Sequence, residues 1–305
     1  VYAAAYLWQM KKMIAFVAAL IGLTAGLNIE AGAKPKSGKD DDHSLLWVIS
    51  GKGLAKPSYL FGTIHIICLE DYVWTKSMKE SLHSSDKVCF EMDLDDPSVM
   101  MQVAAGMMDK SGHKLRDYFT PDQYKQVKQY VADSIGMDIA MFDQMKPIFL
   151  QTLMETKKSM GCPNPMSYED SIGKTAASEN KEVLGLESPD EQLKALATLS
   201  VDSVIKDILQ QVQGKGDDRS EYAQLLAAYR KQDLPALYNL ITQSPDAGED
   251  IGPLLDERNK KWISRIAEKA KVSSVFFAVG AGHLYGSNGV INLLRKEGYT
   301  VEPVK

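Results

Sequence analysis

Hydrophobic positions along this chain follow two rhythms: short apolar runs near both ends and helical spacing through the middle. Leu45-Leu46-Trp47-Val48-Ile49 is a strand-length run, broken by Gly51, Gly53 and Pro57. Ser58-Tyr59-Leu60-Phe61 resumes it, so a β-hairpin is expected. Residues 75–85 place Met78 and Leu82 at helical spacing, and Lys87-Val88-Cys89-Phe90-Glu91-Met92 then reads as a strand ending in an acid. Near the other end, residues 275–279 form a second strong strand, followed by helix over 290–296 and a last strand, Tyr299-Thr300-Val301-Glu302.

The middle reads as helical. Thr120-Pro121-Asp122-Gln123 combines an N-cap threonine, proline at the first helical position and glutamine at the capping-box position, which predicts helix over 121–135. More helix is expected over 139–160, 201–213, 218–231 and 254–270, with a Pro-, Gly- and Asp-rich loop over 243–253. Val183-Leu184-Gly185-Leu186-Glu187 is a short apolar run ending in an acid, and Ser188-Pro189-Asp190-Glu191 caps a further helix.

Gly62-Thr63-Ile64-His65 follows the second strand, and Gly280-Ala281-Gly282-His283 follows the 275–279 strand. Both ends therefore read strand, GxxH, loop, helix, strand. The predicted fold class is α/β with α+β character: duplicated β-α-β units forming a central mixed sheet, with a large helical insertion at about residues 98–272. Ligands in such sheets sit outside the carboxyl ends of the strands, so His65, His283 and Glu91 are expected at one sheet edge.

Composition changes this picture little. The chain has 305 residues, a formal charge of −5 and 45% hydrophobic content, which is globular and offers no basic face for nucleic acid. The first residues change it more. Met10-Lys11-Lys12 precedes an apolar run of about 15 residues, shorter than the ~20 that span a bilayer, and Ala31-Gly32-Ala33 follows in an A-x-A arrangement. Residues 1–33 are thus expected to be an upstream extension plus signal peptide, 34–44 a linker, and 45–305 the exported domain, periplasmic or extracellular. An uncleaved anchor is the other reading of the same run. Export implies an oxidising compartment, where Cys68, Cys89 and Cys162 allow one disulfide among three pairings. Cys89, inside a strand-like run, reads as a buried free thiol.

Two histidines and a carboxylate suit a metal that keeps positions open for water and substrate. Without metal, the same trio serves as general acid and base. Each histidine alone reads equally as a hydrogen-bonded structural residue. Glu187 ends a strand before a helix N-terminus and either faces the same cleft or serves as a cap or salt-bridge partner. Arg258 and Asn259 lie on the 254–270 helix, where Arg258 is either an anion clamp or one charge of a surface face with Asp256–Lys260 and Glu257–Lys261 pairs. His43, His83 and His113 read as surface residues. There is no HExxH and no GxSxG, and Gly173-Lys174-Thr175 lacks the glycine that a phosphate loop requires at position 168. Met100, Met101, Met107 and Met108 read as core packing or as a greasy groove.

These blocks resemble a known family. Leu46-Trp47-Val48-Ile49 with Pro57-Ser58-Tyr59-Leu60-Phe61-Gly62-Thr63-Ile64-His65 looks like the opening of TraB/GumN proteins. Glu257-Arg258-Asn259 with Trp262, and Phe277-Ala278-Val279-Gly280-Ala281-Gly282-His283-Leu284 with Gly289-Val290, Leu293-Leu294 and Gly298-Tyr299, look like its close. The family is similar to the TIKI metalloproteases and, more distantly, to erythromycin-esterase-like and haem-binding ChaN-like proteins. The resemblance implies one site built from Gly62, His65, Glu91, Arg258, Gly280 and His283. It implies metal-dependent peptide cleavage, and ligands of nitrogen and oxygen type fit manganese, cobalt or zinc alike. His65, His283 and Glu91 would hold the metal or activate its water, Arg258 would stabilise the oxyanion, and Asn259 and Glu187 would support them. The expected partner is a peptide or small-molecule substrate, with no stable membrane anchor once the signal is removed. Rival readings are a non-catalytic peptide or pheromone binder, a haem or iron carrier, and a metal-free esterase.

Overall fold

The computed structural model describes residues 43–159, 162, 165–214, 218–242 and 252–305. The expected signal, its cleavage point and nearly all of the linker lie outside the described residues. Among those residues, no helix is long and apolar enough to cross a membrane.

Among the described residues, eight strands form two sheets. β1 (Leu46–Ser50), β2 (Ser58–Thr63), β4 (Lys87–Phe90), β6 (Glu182–Gly185), β7 (Val275–Gly280) and β8 (Thr300–Pro303) make a six-stranded sheet in the order β6-β4-β7-β2-β1-β8. β3 (Ile66–Cys68) and β5 (Pro165–Ser167) pair separately as an antiparallel ribbon. The expected hairpin forms, with Trp47 opposite Leu60. β6, β4, β7 and β2 run parallel, whereas β1 is antiparallel to both β2 and β8. The sheet is therefore mixed, as expected. β7 is buried at all six positions, which explains its continuous apolar run without alternation.

The two β-α-β units run in opposite directions and cross at the β2/β7 pair. From β2 the chain passes through α1 (Lys76–Ser84) to β4, beyond β7. From β7 it passes through α11 (Val290–Lys296) to β8, beyond β2 and β1 on the other side. Adjacent parallel strands whose crossovers run in opposite directions make the β2/β7 boundary a topological switch point, where ligands bind outside the carboxyl ends of the strands. Thr63 pairs with Gly280 across that boundary, so the two GxxH motifs begin side by side.

The intervening segment carries α2 (Pro97–Gly106), α3 (Pro121–Tyr130), α4 (Pro147–Ser159), α5 (Tyr168–Ser178), α6 (Pro189–Leu196), α7 (Val201–Val212), α8 (Asp218–Arg230), α9 (Leu234–Thr242) and α10 (Asp256–Val272). Part of it builds its own core around Val127, Val131, Phe142, Leu150, Met154 and Ile208. The sheet core holds Trp47, Phe61, Tyr168, Tyr229, Trp262, Phe276 and Phe277. Of the four methionines singled out, Met107 is buried and Met100 and Met108 pack partly buried against the helical segment's own core, while Met101 is exposed.

Several boundaries differ from expectation for physical reasons. The Thr120 capping box forms, but α3 widens into a π turn at Val131–Ile135 and stops at Gly136, whose φ of 75° is left-handed. The helix expected over 139–160 is two pieces, a 3-10 turn at Ile139–Phe142 and then α4, because Pro147 starts a helix and disrupts an interior. Gly173-Lys174-Thr175 lies within α5. β3, β5, α5 and α9 have no counterpart among the elements read from the sequence. Cys68 pairs with Cys162, with Cα atoms 5.9 Å apart, and Cys89 is free and buried, its thiol pushed up to about 12 by burial.

Candidate functional site

Four adjacent parallel strands each deliver one polar side chain past their carboxyl ends. β6 leads through Leu186 to Glu187, β4 runs directly into Glu91, β7 turns through Ala281–His283, and β2 ends two residues before His65. α10 covers this edge and brings Arg258, Asn259 and Trp262 inward, since positions four apart share a helix face. Glu91, Glu187, Arg258, Asn259 and His283 are all buried, whereas His65 keeps some solvent access.

Arg258 holds the assembly together. Its Nη2 donates to Glu91 Oε2 and to Glu187 Oε1, both at 2.6 Å. Nε donates to both oxygens of Glu187 at 3.1 Å, and Nη1 donates to the Leu254 carbonyl at 3.0 Å and to His283 Nε2 at 3.2 Å. All five guanidinium N–H groups are committed. The guanidinium lies 4.9 Å from the Trp262 ring centre, and Trp262 Nε1 donates to Glu187 Oε2 at 3.1 Å. Arg258 is therefore buried, not on a solvated face, and Lys260 pairs with Glu257 instead of Asp256. The expected anion clamp is also altered: Arg258 has no donor left for a substrate unless it releases a protein partner.

Burial alone would raise Glu91, but Arg258, His283, His65 and the Gly280 N–H outweigh it and hold the carboxyl at about 2. The Gly280 N–H reaches Glu91 Oε1 at 2.9 Å, and Gln192 Nε2 donates to Oε2 at 3.3 Å. Burial raises Glu187 above the ordinary carboxylate range although Arg258 draws it back. Arg258 itself stays charged, raised by the two carboxylates against the cost of its burial.

The two histidines are set differently. His283 Nε2 must accept from Arg258, so Nδ1 carries the proton and donates to Asn259 Oδ1 at 2.7 Å. Burial and the Arg258 charge depress His283 to about 3, so the ring is neutral. Asn259 is anchored in turn by donating to the carbonyls of His283 and Asn288. His65 Nδ1 faces Glu169 Oε1 at 2.8 Å, and Thr63 Oγ1 donates to the same oxygen at 2.8 Å. Burial lowers His65, but Glu169 and Glu91 outweigh it and raise the ring above its ordinary value.

The glycines make the site possible. A side chain on Gly62 would meet Leu284 at 3.0 Å and Ala281 at 3.1 Å, so Gly62 lets the second GxxH turn pack against the first strand. A Cβ on Gly280 would lie 3.2 Å from His65 Nε2, 3.4 Å from Glu91 Oε1 and 3.6 Å from His283 Cδ2. Gly280 thus leaves a small cradle onto which His65, Glu91 and the edge of His283 converge. His65 Nε2, with no protein partner among the described residues, and the ionised Glu91 are donors suited to a cation or a polarised water. His283 Nε2 is 3.8 Å from Glu91 Oε1 but is engaged by Arg258. Among the described residues, no three His, Cys, Asp or Glu side chains stand ready as a closed ligand group.

All eight sequence-derived residues, His65, His283, Glu91, Arg258, Asn259, Glu187, Gly62 and Gly280, belong to this one cluster. Sequence reasoning missed Glu169 and Gln192, and the signal for Glu169 was faint: an acid in the first turn of a helix capped by Ser167. The other histidines lie apart, although His43 pairs with Asp233 and His83 with Glu179.

Known proteins similar to this chain include metalloproteases of the TIKI type. The chain is 27% identical to metalloprotease TIKI2 of Xenopus tropicalis over 92% of its length, and 26% identical to metalloprotease TIKI1 of Danio rerio over 89%. It is 25% identical to human metalloprotease TIKI1 over 89% of its length. The matches span 64%, 65% and 64% of those relatives respectively, so about a third of each lies outside the likeness. No solved structure matches the chain significantly. The model of the TraB/PrgY/gumN family matches residues 45–303, nearly the whole described fold, and the chain belongs to that family.

Proposed function

We propose that this protein is an exported, metal-dependent hydrolase that cleaves peptide bonds at the β2/β7 switch point. The observation that carries the reading is the convergence of His65 Nε2, Glu91 Oε1 and the His283 ring on the space that Gly280 leaves open. The donor set fits a divalent ion. One imidazole nitrogen is exposed to the cradle, one carboxylate is ionised, and a second imidazole is held neutral, the protonation states that metal ligands need. His65 and Glu91 would hold the ion directly, and His283 would join by exchanging its bond with Arg258. When bound, a divalent ion supplies Lewis acidity and lowers the pKa of its water. Nitrogen and oxygen donors suit manganese, cobalt or zinc.

The protein's own groups supply the rest. Arg258 keeps Glu91 ionised and fixes the tautomer of His283, which makes it primarily a positioning residue. Glu91 Oε1 remains directed at the cradle by the Gly280 N–H, and is placed to take a proton from an attacking water. His65, with Nε2 committed to the ion and Nδ1–H held against Glu169, has no proton to give, so the proton would return to the leaving amine from Glu91. The Cys68–Cys162 disulfide supports an oxidising compartment and hence export.

The test is cleavage of a defined peptide library by metal-stripped protein resupplied separately with manganese, cobalt and zinc. Cleavage that returns with metal, and is lost in both His65→Ala and His283→Ala while the fold persists, is expected. Full activity in either variant, or undiminished activity after chelation, would overturn the assignment.

A further inference from the structure

The two histidines face different partners. Asn259, a neutral amide, accepts the His283 Nδ1–H, whereas Glu169, a carboxylate, lies against His65 Nδ1. Glu169 is elaborately fixed for a residue outside the cradle. Its Oε1 accepts from Thr63 Oγ1 at 2.8 Å and its Oε2 from Ser167 Oγ at 3.1 Å. It sits in the first turn of the 11-residue helix α5, where the backbone dipole favours a negative charge.

The local fold brings this carboxylate to His65. β3 begins immediately after His65, and β5 ends immediately before Tyr168-Glu169. Their register pairs Ile66 with Ser167 and Cys68 with Pro165. Tyr168 N–H donates to the His65 carbonyl at 3.2 Å, and the Cys68–Cys162 disulfide closes the far end of the ribbon. The ribbon thus joins two residues 104 positions apart and holds them in one register.

We infer that Glu169 is the positioning residue of His65: it holds the proton on Nδ1, leaves Nε2 as a bare lone pair facing the Gly280 cradle, and strengthens that nitrogen as a metal donor. The inference rests on the proposed metal-dependent reading for its consequence, but not for its geometry. A carboxylate behind a ligating imidazole fixes tautomer and orientation and raises donor strength, and its loss typically weakens metal binding about 10–100-fold. The amide behind His283 does the first two without the charge, so His65 is the stronger donor of the pair.

Two readouts on the full chain test this, in wild type, Glu169→Ala and Glu169→Gln. The first is nitrogen-15 NMR of the labelled histidine rings in metal-free protein, at a pH where the rings are neutral. Wild-type His65 should show a protonated Nδ1 and a bare Nε2. Glu169→Ala should shift His65 toward protonated Nε2, and Glu169→Gln, which keeps an acceptor oxygen, should retain the wild-type tautomer. The second is titration with cobalt(II) alone, followed by visible absorption. Glu169→Ala should bind about 10–100-fold more weakly, with Glu169→Gln between it and wild type. Wild-type ring signals in Glu169→Ala would overturn the inference, as would unchanged cobalt affinity. If wild type binds no cobalt, manganese or zinc, the metal reading fails, and the ring tautomers alone decide the role of Glu169. Should Glu169→Ala fail to fold, the Glu169→Gln and Thr63→Val variants carry the same comparison, and wild-type affinity in both would refute it.

Discussion

Arg258 Nη1 stands 3.2 Å from His283 Nε2, and because a guanidinium only donates, the imidazole must accept. The same arginine neutralises Glu91 and Glu187, so one buried cation serves two carboxylates and one lone pair. Removing it leaves two buried carboxylates without their countercharge. Arg258→Met should therefore cost about 3–5 kcal/mol in chemical denaturation. Arg258→Met combined with Glu187→Gln should recover part of that loss, because one orphaned charge is removed with its partner. A double variant no more stable than the single one would show that packing on Trp262, not charge, gives Arg258 its weight.

Gly62 and Gly280 occupy equivalent motif positions yet should respond oppositely to alanine. At Gly62 the new methyl presses on the Ala281 backbone at 3.1 Å, which cannot yield easily, so Gly62→Ala should lose about 1–3 kcal/mol. At Gly280 the methyl enters the cradle, where its nearest neighbour is His65 Nε2 at 3.2 Å. The backbone there has φ of −53°, which alanine adopts freely. Gly280→Ala should keep its stability within about 1 kcal/mol while losing metal binding and cleavage. Comparing thermal melts with metal titrations on both variants checks the contrast; a Gly280→Ala protein with intact metal affinity would place the ion elsewhere.

Much of this site was legible because its residues sit where the chain announces them. The apolar runs before Gly62 and Gly280, and the acids that end β4 and β6, can be read without knowing strand order. What sequence did not convey is adjacency. That β2 and β7 are neighbours, with β4 beyond β7, comes from long-range pairing. Glu169 was hidden for the same reason: its partner is 104 residues away and the ribbon that joins them has three-residue strands too short to carry a period. Arg258 was ambiguous because its neighbours Asp256, Glu257, Lys260 and Lys261 give a charged helix its surface appearance, while only the contact with Glu187 reveals which face is buried.

Acid should destabilise the metal-free protein in two stages. His283 has an ordinary value of 6.5 and a folded value of about 3. Its contribution is complete above pH 6.5 and is lost as pH falls toward 3, because the unfolded chain takes up the proton first. Glu91, depressed from 4.5 to about 2, contributes stability that is complete above pH 4.5 and is lost as pH falls toward 2. His65 works in the other direction: its raised value gives stability that is full below pH 6.5 and is lost as pH rises through the folded value. Urea unfolding of protein held in chelator should therefore weaken below pH 6.5, with each group adding up to about 1.4 kcal/mol per pH unit. In His283→Gln the upper stage should vanish and the lower one remain. A profile unchanged by that substitution would mean His283 is not held neutral.

The disulfide should matter more to His65 than to the fold's secondary structure. Cys68 and Cys162 are separated by 94 residues, and in the chain-entropy picture closing such a loop is worth about 4–5 kcal/mol against the unfolded state. Reduction should therefore lower Tm, and Cys68→Ser with Cys162→Ser should do the same without reductant. Its local effect follows from geometry: the bridge closes the ribbon whose other end sets Glu169 against His65. The reduced protein and the double serine variant should retain their helical circular dichroism at a temperature below both melts, yet bind cobalt(II) several-fold more weakly. Equal affinity in oxidised and reduced protein would show that the β3–β5 register and the Tyr168–His65 backbone bond hold Glu169 in place without the bridge.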